Sequence, residues 1–461
     1  LLAGVITTIL PGVVNVGLVA MVFSGYSNQP KILGRGAALF MLRSSQSGFG
    51  MAIIVLMSRS MEEVSLAAGL LLLSFTLSSG LVGVLGFDVV IVKLLGRDDP
   101  CSDVARKNYT DLAARFLGIW VVIVLTTAAV LFYTKAGNWA LGISPFYVLA
   151  WFFFAALQVF QSSVLLAFHR QLASVFYMGV LSNFLALFGI AWTVFTGAEL
   201  TVAVLARAYL IGLCTSIFLG QLYIHRLIGW VPPHATFCSN HETGLRPLGT
   251  SALTNALSMV VVQMPFWVVA WLGTNTQTVA YGLVFRLTLP LAIILLSARS
   301  LVAPVISRAW HRQTLKEVEP YLKQVASLSL IAMLAATFCL LMLHNWLFEA
   351  VFDKPDTSTF ATMVFLLAGQ CFLAAFGQGQ LTLRLADLQT EALIIGLGTA
   401  AIQAISVIIL YHQFGIAGVG ASVALYCFLA ASLPSLLVFR VLGVNLMFRN
   451  PLTIFKSRTR R

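Results

Sequence analysis

Residues 391 to 412, EALIIGLGTAAIQAISVIILYH, and residues 416 to 442, IAGVGASVALYCFLAASLPSLLVFRVL, carry no Asp, Glu, Lys or Arg except Glu391 and Arg440 near their ends. Each exceeds the roughly 20 apolar residues that a helix needs to cross ~30 Å of hydrocarbon. The same reading extends back along the chain to apolar runs at about 1 to 23, 37 to 57, 66 to 92, 112 to 132, 141 to 167, 175 to 195, 200 to 224, 249 to 273, 278 to 305, 321 to 346 and 358 to 383. Thirteen candidate spans therefore occupy most of the 461 residues. Hydrophobic residues make up 59% of the chain, charged residues 10%, and the mean hydropathy is +0.93. Such a surface suits lipid and not water. Backbone groups facing lipid must pair within their own segment, and long apolar runs without ten-residue alternating stretches select helices over a β-barrel. The expected fold class is all-α, a polytopic transmembrane helical bundle.

The net charge of +12 does not point to nucleic acid, because the basic residues are spread over many short connections and not along one face. They report topology instead. With the connection before residue 37 placed inside, 22 of the 28 Lys and Arg residues fall in inside loops, the tail and inner helix ends. The outside connections hold only Arg59, Lys135 and Lys354, and Arg207, Arg286 and Arg299 lie within spans. This alternation supports the twelve later spans. The segment 1 to 23 has no positive n-region and no small-residue cleavage site, so it reads either as an extra amino-terminal helix or as upstream sequence from an alternative start. Thirteen spans would place the amino terminus outside and the tail inside.

The longest polar connection in the middle of the chain contains Pro232 and Pro233. It divides the twelve spans into an amino-terminal six-helix lobe, 37 to 225, and a carboxy-terminal six-helix lobe, 249 to 442. A cytoplasmic linker, 226 to 248, joins them, and a basic tail, 443 to 461, follows. The stretch 1 to 36 stands apart as the extra segment with its loop. Two lobes around a central cavity suit a transporter, whose substrate path runs between repeats near the midplane. Gly69 and Gly282 begin comparable runs that end at Lys93 and Arg308, a weak sign of such a repeat. His234, Cys238 and His241 lie close together but have no fourth ligand at suitable spacing, so no metal site is expected. No cofactor pattern is present, and four of the six cysteines lie inside apolar runs, which implies no disulfide framework.

Three stretches resemble a known family. They are LRSSQSGFGMAIIVLMSRSMEEVSLAAGLLLL at 42 to 73, VAYGLVFRLTLPL at 279 to 291, with an arginine one turn before a proline, and FGIAGVGASVALYCFLAASL at 414 to 433. From about Leu42 to Leu442 the chain is similar to the Wzx-type polysaccharide flippases, within the larger superfamily of multidrug exporters and lipid II flippases. The resemblance implies a protein of the bacterial cytoplasmic (inner) membrane. It would move undecaprenyl-diphosphate-linked oligosaccharide repeat units to the periplasmic leaflet by alternating access, for O-antigen, capsule or exopolysaccharide synthesis. It also implies membrane lipids, a polysaccharide polymerase and chain-length machinery as partners, and no enzymatic chemistry. These are helix-packing patterns, which identify the superfamily better than the substrate.

A diphosphate, a hydrated glycan and an isoprenoid tail demand positive charge, a polar cavity and an opening to lipid. Arg286 lies about eight residues below the outer end of its span, roughly 12 Å deep. An arginine there costs ~2.5 to 3.5 kcal/mol on insertion scales and should face a bundle interior or a water-filled cavity, where a diphosphate is a natural counter-ion. The alternative is a buried arginine paired with carbonyls freed by Pro290. Arg299, further toward the cytoplasm, either joins that site or snorkels. Arg207 is expected in a cavity. Arg43 shares a helix face with Gln46 and Ser47, a polar stripe that anchoring at the cytoplasmic surface explains equally well. Arg384 and Asp387, at i and i+3, read as an ion pair or a gate, with Asp88 near an inner span end as a third candidate. The amides Gln158, Gln161, Asn183, Asn255, Gln263, Gln370, Gln378, Gln380 and Gln403 should bond between helices or line the path.

Two rivals remain. A cation-coupled multidrug exporter would be expected to place a carboxylate in its early helices, and the span 37 to 57 has none before Glu62. A membrane-embedded polymerase or ligase needs a large periplasmic loop, and the longest outside connection is about residues 347 to 357.

Overall fold

A computed structural model describes residues 30–95, 102–133, 145–229, 245–353, 359–386 and 388–448. The segment 1 to 23, the linker cluster His234, Cys238 and His241, and most of the basic tail lie outside the described residues. Helices account for nearly all of the described chain, and no strand occurs among the described residues. Ten helices are long and apolar enough to cross a membrane, and a bent pair, Thr359–Ala375 with Gly379–Leu385 at 44°, supplies another. The last run, Gln389–Leu442, has 54 residues. At 1.5 Å per residue it would measure roughly 80 Å, far more than one bilayer. It is interrupted at Gly415, where φ 60° and ψ −141° leave the helical region and a residue without Cβ meets the least steric cost. Counted as two crossings, it brings the total to twelve among the described residues.

By contact the chain divides into two compact units, residues 1–259 and 260–461. The first contains α1 (Pro30–Ser60), α2 (Glu63–Gly83), α3 (Phe87–Leu95), α4 (Asp103–Tyr133), α5 (Pro145–Ala167), α6 (Gln171–Val175), α7 (Leu181–Phe195) and α8 (Val202–Ile228). α9 (Leu245–Leu272) begins in the first unit and ends in the second. The second unit continues with α10 (Asn275–Thr288), α11 (Ala292–His311), α12 (Glu319–Met342), α13 (Thr359–Ala375), α14 (Gly379–Leu385) and α15 (Gln389–Leu442).

The first unit is built around α2 and α5, of which 69% and 61% of the spanning windows are buried, against 17% for α1 and α4. Its core is aromatic. Phe116 lies 4.7 Å from Phe160 and 5.6 Å from Phe87, while Trp120 packs on Phe152 at 5.5 Å and donates its indole N–H to the Gly83 carbonyl at 3.0 Å. That bond falls where α2 ends and the chain turns through Leu85 (φ 53°) and Gly86 (φ 79°) into α3. The apolar run 66 to 92 is therefore two helices and not one. A single π turn, Phe176–Val180, joins α6 to α7.

In the second unit α10 is buried on every side from Thr278 to Thr288. A capping box starts it: the Thr274 side chain accepts from the Gln277 amide, and the Gln277 side chain accepts from the Thr274 amide. The Tyr411 hydroxyl also donates to Gln277 Oε1 at 2.9 Å. Pro290 sits in a 3-10 turn, Leu289–Leu291, between α10 and α11, the interruption that a proline without an N–H imposes. Large apolar side chains on the outer faces stay open, including Phe195 at 86% and Trp271 at 79% exposure. A surface of that kind is stable in lipid, and the chain is a multi-pass membrane protein.

Candidate functional site

Arg286 is 8% exposed, on a turn of α10 enclosed by the second unit. Below it in sequence run the aromatic contacts Phe266 to Tyr281 (6.1 Å) and Tyr281 to Phe285 (6.2 Å), both stacked. Thr288, two residues before the proline, returns its hydroxyl to the Phe285 carbonyl at 2.8 Å.

Arg299 on α11 donates from Nε to Gln378 Oε1 at 3.0 Å. Gln378 lies between α13 and α14, where Gly377 has φ +73° and the helix axis bends. Arg384 on α14 and the Tyr426 hydroxyl on α15 are within electrostatic reach of Arg299. The Arg299–Gln378 bond thus joins α11 to the helix break across 79 residues of sequence. The break is braced: Ser435 Oγ donates to the Phe376 carbonyl at 2.8 Å, and the Phe448 amide to the Ala375 carbonyl at 3.0 Å. A narrow apolar crevice borders it, lined by Ala298, Val302, Ile306 and Leu322 together with Gln378 and Thr382. Asp387, the expected partner of Arg384, lies outside the described residues.

In the first unit Arg207 is exposed on α8, on a stripe that continues through Ile211, Phe218 and Leu222. Arg43 is half-buried on α1. One turn on, Gln46 rests against Gly179 of the π turn, where a Cβ would collide with its amide, and Asn183 Nδ2 donates to the Gln46 carbonyl at 3.3 Å. Asp88, in the first turn of α3, accepts from Asn255 Nδ2 with both carboxylate oxygens, at 3.1 and 3.2 Å.

The buried amides of the first unit bond between helices. Gln161 Nε2 donates to the Ile217 carbonyl at 3.1 Å and to Gln221 Oε1 at 2.9 Å, and Gln221 Nε2 donates to the Tyr109 hydroxyl at 2.8 Å. Gln158 Nε2 donates to the Tyr177 carbonyl at 3.0 Å, which also accepts from Ser216 Oγ. Tyr109, Ser216, Gln221 and Tyr426 were not singled out by sequence, although Gln221 and His225, at i and i+4, mark one polar face of α8. Among the described residues no group of three or more His, Cys, Asp or Glu could hold a metal ion.

No family model matches the chain, and no curated protein matches its sequence. Solved structures match its fold. It is similar to a multidrug resistance MATE family transporter of the MOP superfamily in an outward-facing conformation, with TM-score 0.64, 15% identity, and coverage of 88% of this chain and 94% of that one. It is similar to lipid II flippase MurJ in an inward closed conformation, with TM-score 0.60, 14% identity, and coverage of 88% and 86%. A third is a MOP superfamily transporter from Pyrococcus furiosus, described by a binding pocket of reverse polarity, with TM-score 0.61, 15% identity, and coverage of 88% and 94%. At such identities the likeness establishes the fold, which is that of MOP superfamily transporters. The all-α transmembrane fold expected from the sequence agrees with these neighbours.

Proposed function

We propose that this chain is a transporter, a flippase that carries undecaprenyl-diphosphate-linked oligosaccharide repeat units across the bacterial cytoplasmic membrane for surface polysaccharide synthesis, by alternating access. The observation that supports this reading most is the burial of Arg286 in a transmembrane helix. A guanidinium withdrawn from water costs several kcal/mol even after relaxation. Function is the natural reason to retain it, and a cation at that depth favours an anionic substrate while repelling a cationic drug. Arg299, Arg207 and Arg43 are the further cationic contacts, and Asp88 with Asn255 and Arg384 with Asp387 are the gate candidates. The lobes 37 to 225 and 249 to 442 act as the two halves of the carrier, with the isoprenoid tail left in the bilayer. A polysaccharide polymerase and its chain-length machinery would take over the product.

A second reading, cation-coupled drug export, has one observation in its favour. Asp88 is a carboxylate in the first turn of α3, part-buried in its bond with Asn255. The test is glycan display in cells lacking their own flippase, complemented with the wild type and with Arg286→Lys, Arg286→Gln and Arg286→Glu, normalised to folded protein in the membrane. Display should fall in the order Arg, Lys, Gln, Glu, because lysine keeps the charge but loses the planar fork. Normal display by Arg286→Glu at equal abundance would remove Arg286 from the site. Drug resistance without glycan display in the wild type would favour the exporter.

A further inference from the structure

α13 ends at Ala375, and a broken helix leaves carbonyls that need donors from outside it. Three consecutive ones are met from three places. Ala374 accepts from the Gly377 amide at 3.4 Å, Phe376 from Ser435 Oγ, and Ala375 from the Phe448 amide at 3.0 Å. The last donor lies beyond α15, in a non-helical strap of residues 443 to 448 that leaves the helix through Gly443 at φ +66°, a left-handed C-terminal position. Burial alternates along the strap: Val444 and Leu446 are 0% and 2% exposed, whereas Asn445 and Met447 are half-buried and Phe448 is open. The two inward side chains enter a core with Val302, Ile306, Leu322, Leu383 and Val438, which joins α11, α12, α14 and α15. Leu446 also lines the apolar crevice. Its carbonyl lies where a Cβ on Gly377 would be 2.6 Å away, so the positive φ and the passage of the strap both require glycine there.

The hold of the strap is small. Two aliphatic side chains and one backbone bond are set against the freedom that residues 443 to 448 lose on docking. Such a balance lets a segment leave and return without the rest of the unit opening. Gly377 and Gly443, both at positive φ, stand at the two ends of the attachment and absorb a change of backbone more readily than any other residue type. The basic-residue count places the break toward the cytoplasm, where water can take over the Ala375 carbonyl when Phe448 leaves it. We propose that residues 443 to 448 are a latch: docked, they hold the bend between α13 and α14, and they release it in each transport cycle. This rests on the reading of the chain as an alternating-access transporter.

Two experiments on the full chain, with its six native cysteines replaced by alanine, test it. The first measures whether the strap leaves on its own. In lipid nanodiscs the thiol of Val444→Cys should react with a water-soluble maleimide at least about tenfold faster than that of Ile306→Cys, an equally buried site on α11. Adding Leu446→Asp, which puts a charge into the apolar core, should speed the Val444→Cys reaction at least about tenfold more and leave Ile306→Cys unchanged. Equal rates at the two sites, or opening of both by Leu446→Asp, would make the strap an ordinary part of the core and overturn the latch. The second measures whether transport needs release. The Phe448–Ala375 bond brings these residues within the span of a disulfide. The oxidised pair Ala375→Cys and Phe448→Cys should flip lipid-linked oligosaccharide in liposomes at least about tenfold more slowly than protein with either cysteine alone, and reduction should restore the rate. A pair that does not oxidise contradicts the docked strap, and a locked pair that transports at the wild-type rate contradicts release. The two readings fail differently: a wild type that moves no lipid counts against the transport reading, while the maleimide rates still judge the latch.

Discussion

The first unit keeps its interior together with neutral polar groups, and the second buries a full positive charge. In the first, Gln158, Gln161, Gln221, Tyr109 and Ser216 satisfy one another and nearby carbonyls across three helices. Neutral groups paired in this way are self-sufficient, and each bond contributes about 0.5–1.5 kcal/mol net. In the second, Arg286 lies inside α10, and Arg299 and Arg384 gather at a helix break. A guanidinium gains no comparable advantage from burial, since an apolar residue of similar volume often serves stability as well or better. The contrast separates polar groups that build the fold from those proposed to meet a ligand.

The largest expected effect breaks the charge of the second unit. Arg286→Gln should lower glycan transport per folded molecule at least about tenfold, the scale of one lost charge-assisted contact. The next disturbs packing in the first. Gly179→Val places a side chain where the Gln46 amide lies, and overpacking of this kind costs about 1–3 kcal/mol. Thermal unfolding in detergent should show the loss, and adding Gln46→Ala should restore most of it. Gln161→Leu leaves Gln221 Oε1 without its donor and removes the side-chain bond to the Ile217 carbonyl, at about 1–3 kcal/mol, with transport per folded molecule unchanged. If that variant instead lost transport as Arg286→Gln does, the distinction between the two interiors would collapse. The smallest effect belongs to Thr274→Ala, which removes the cap of α10 and should cost about 1 kcal/mol without altering transport, showing that neutral groups of the second unit are structural too.

Much of the architecture was legible because each crossing needs a long apolar run. The runs 200 to 224 and 321 to 346 correspond to α8 and α12 within a few residues. Breaks were harder. Pro290 announced its own interruption, since a missing N–H is visible in a sequence. The turn at Leu85 and Gly86 and the bend at Gly377 were read through as continuous helix, because a glycine inside an apolar run is tolerated in many helices and a bend there depends on what packs against it. Gly415 falls in the gap between the apolar runs 391 to 412 and 416 to 442, although helical backbone bonding continues across it. The depth of Arg286 followed from counting residues. The meeting of Arg299 with Gln378, 79 residues away, did not, since only the packing of α11 against the break brings them together.

Movement of an anionic lipid from one leaflet to the other can be followed with purified protein in liposomes, without the cell. Undecaprenyl-diphosphate-linked oligosaccharide is placed in both leaflets, and the fraction open to an impermeant glycosidase is followed over time. Wild-type protein should expose the protected half of the substrate, and Arg286→Glu at the same density should leave it as protected as in protein-free liposomes. A wild type that leaves the lipid protected, yet moves a cationic dye against a sodium or proton gradient, would contradict the account.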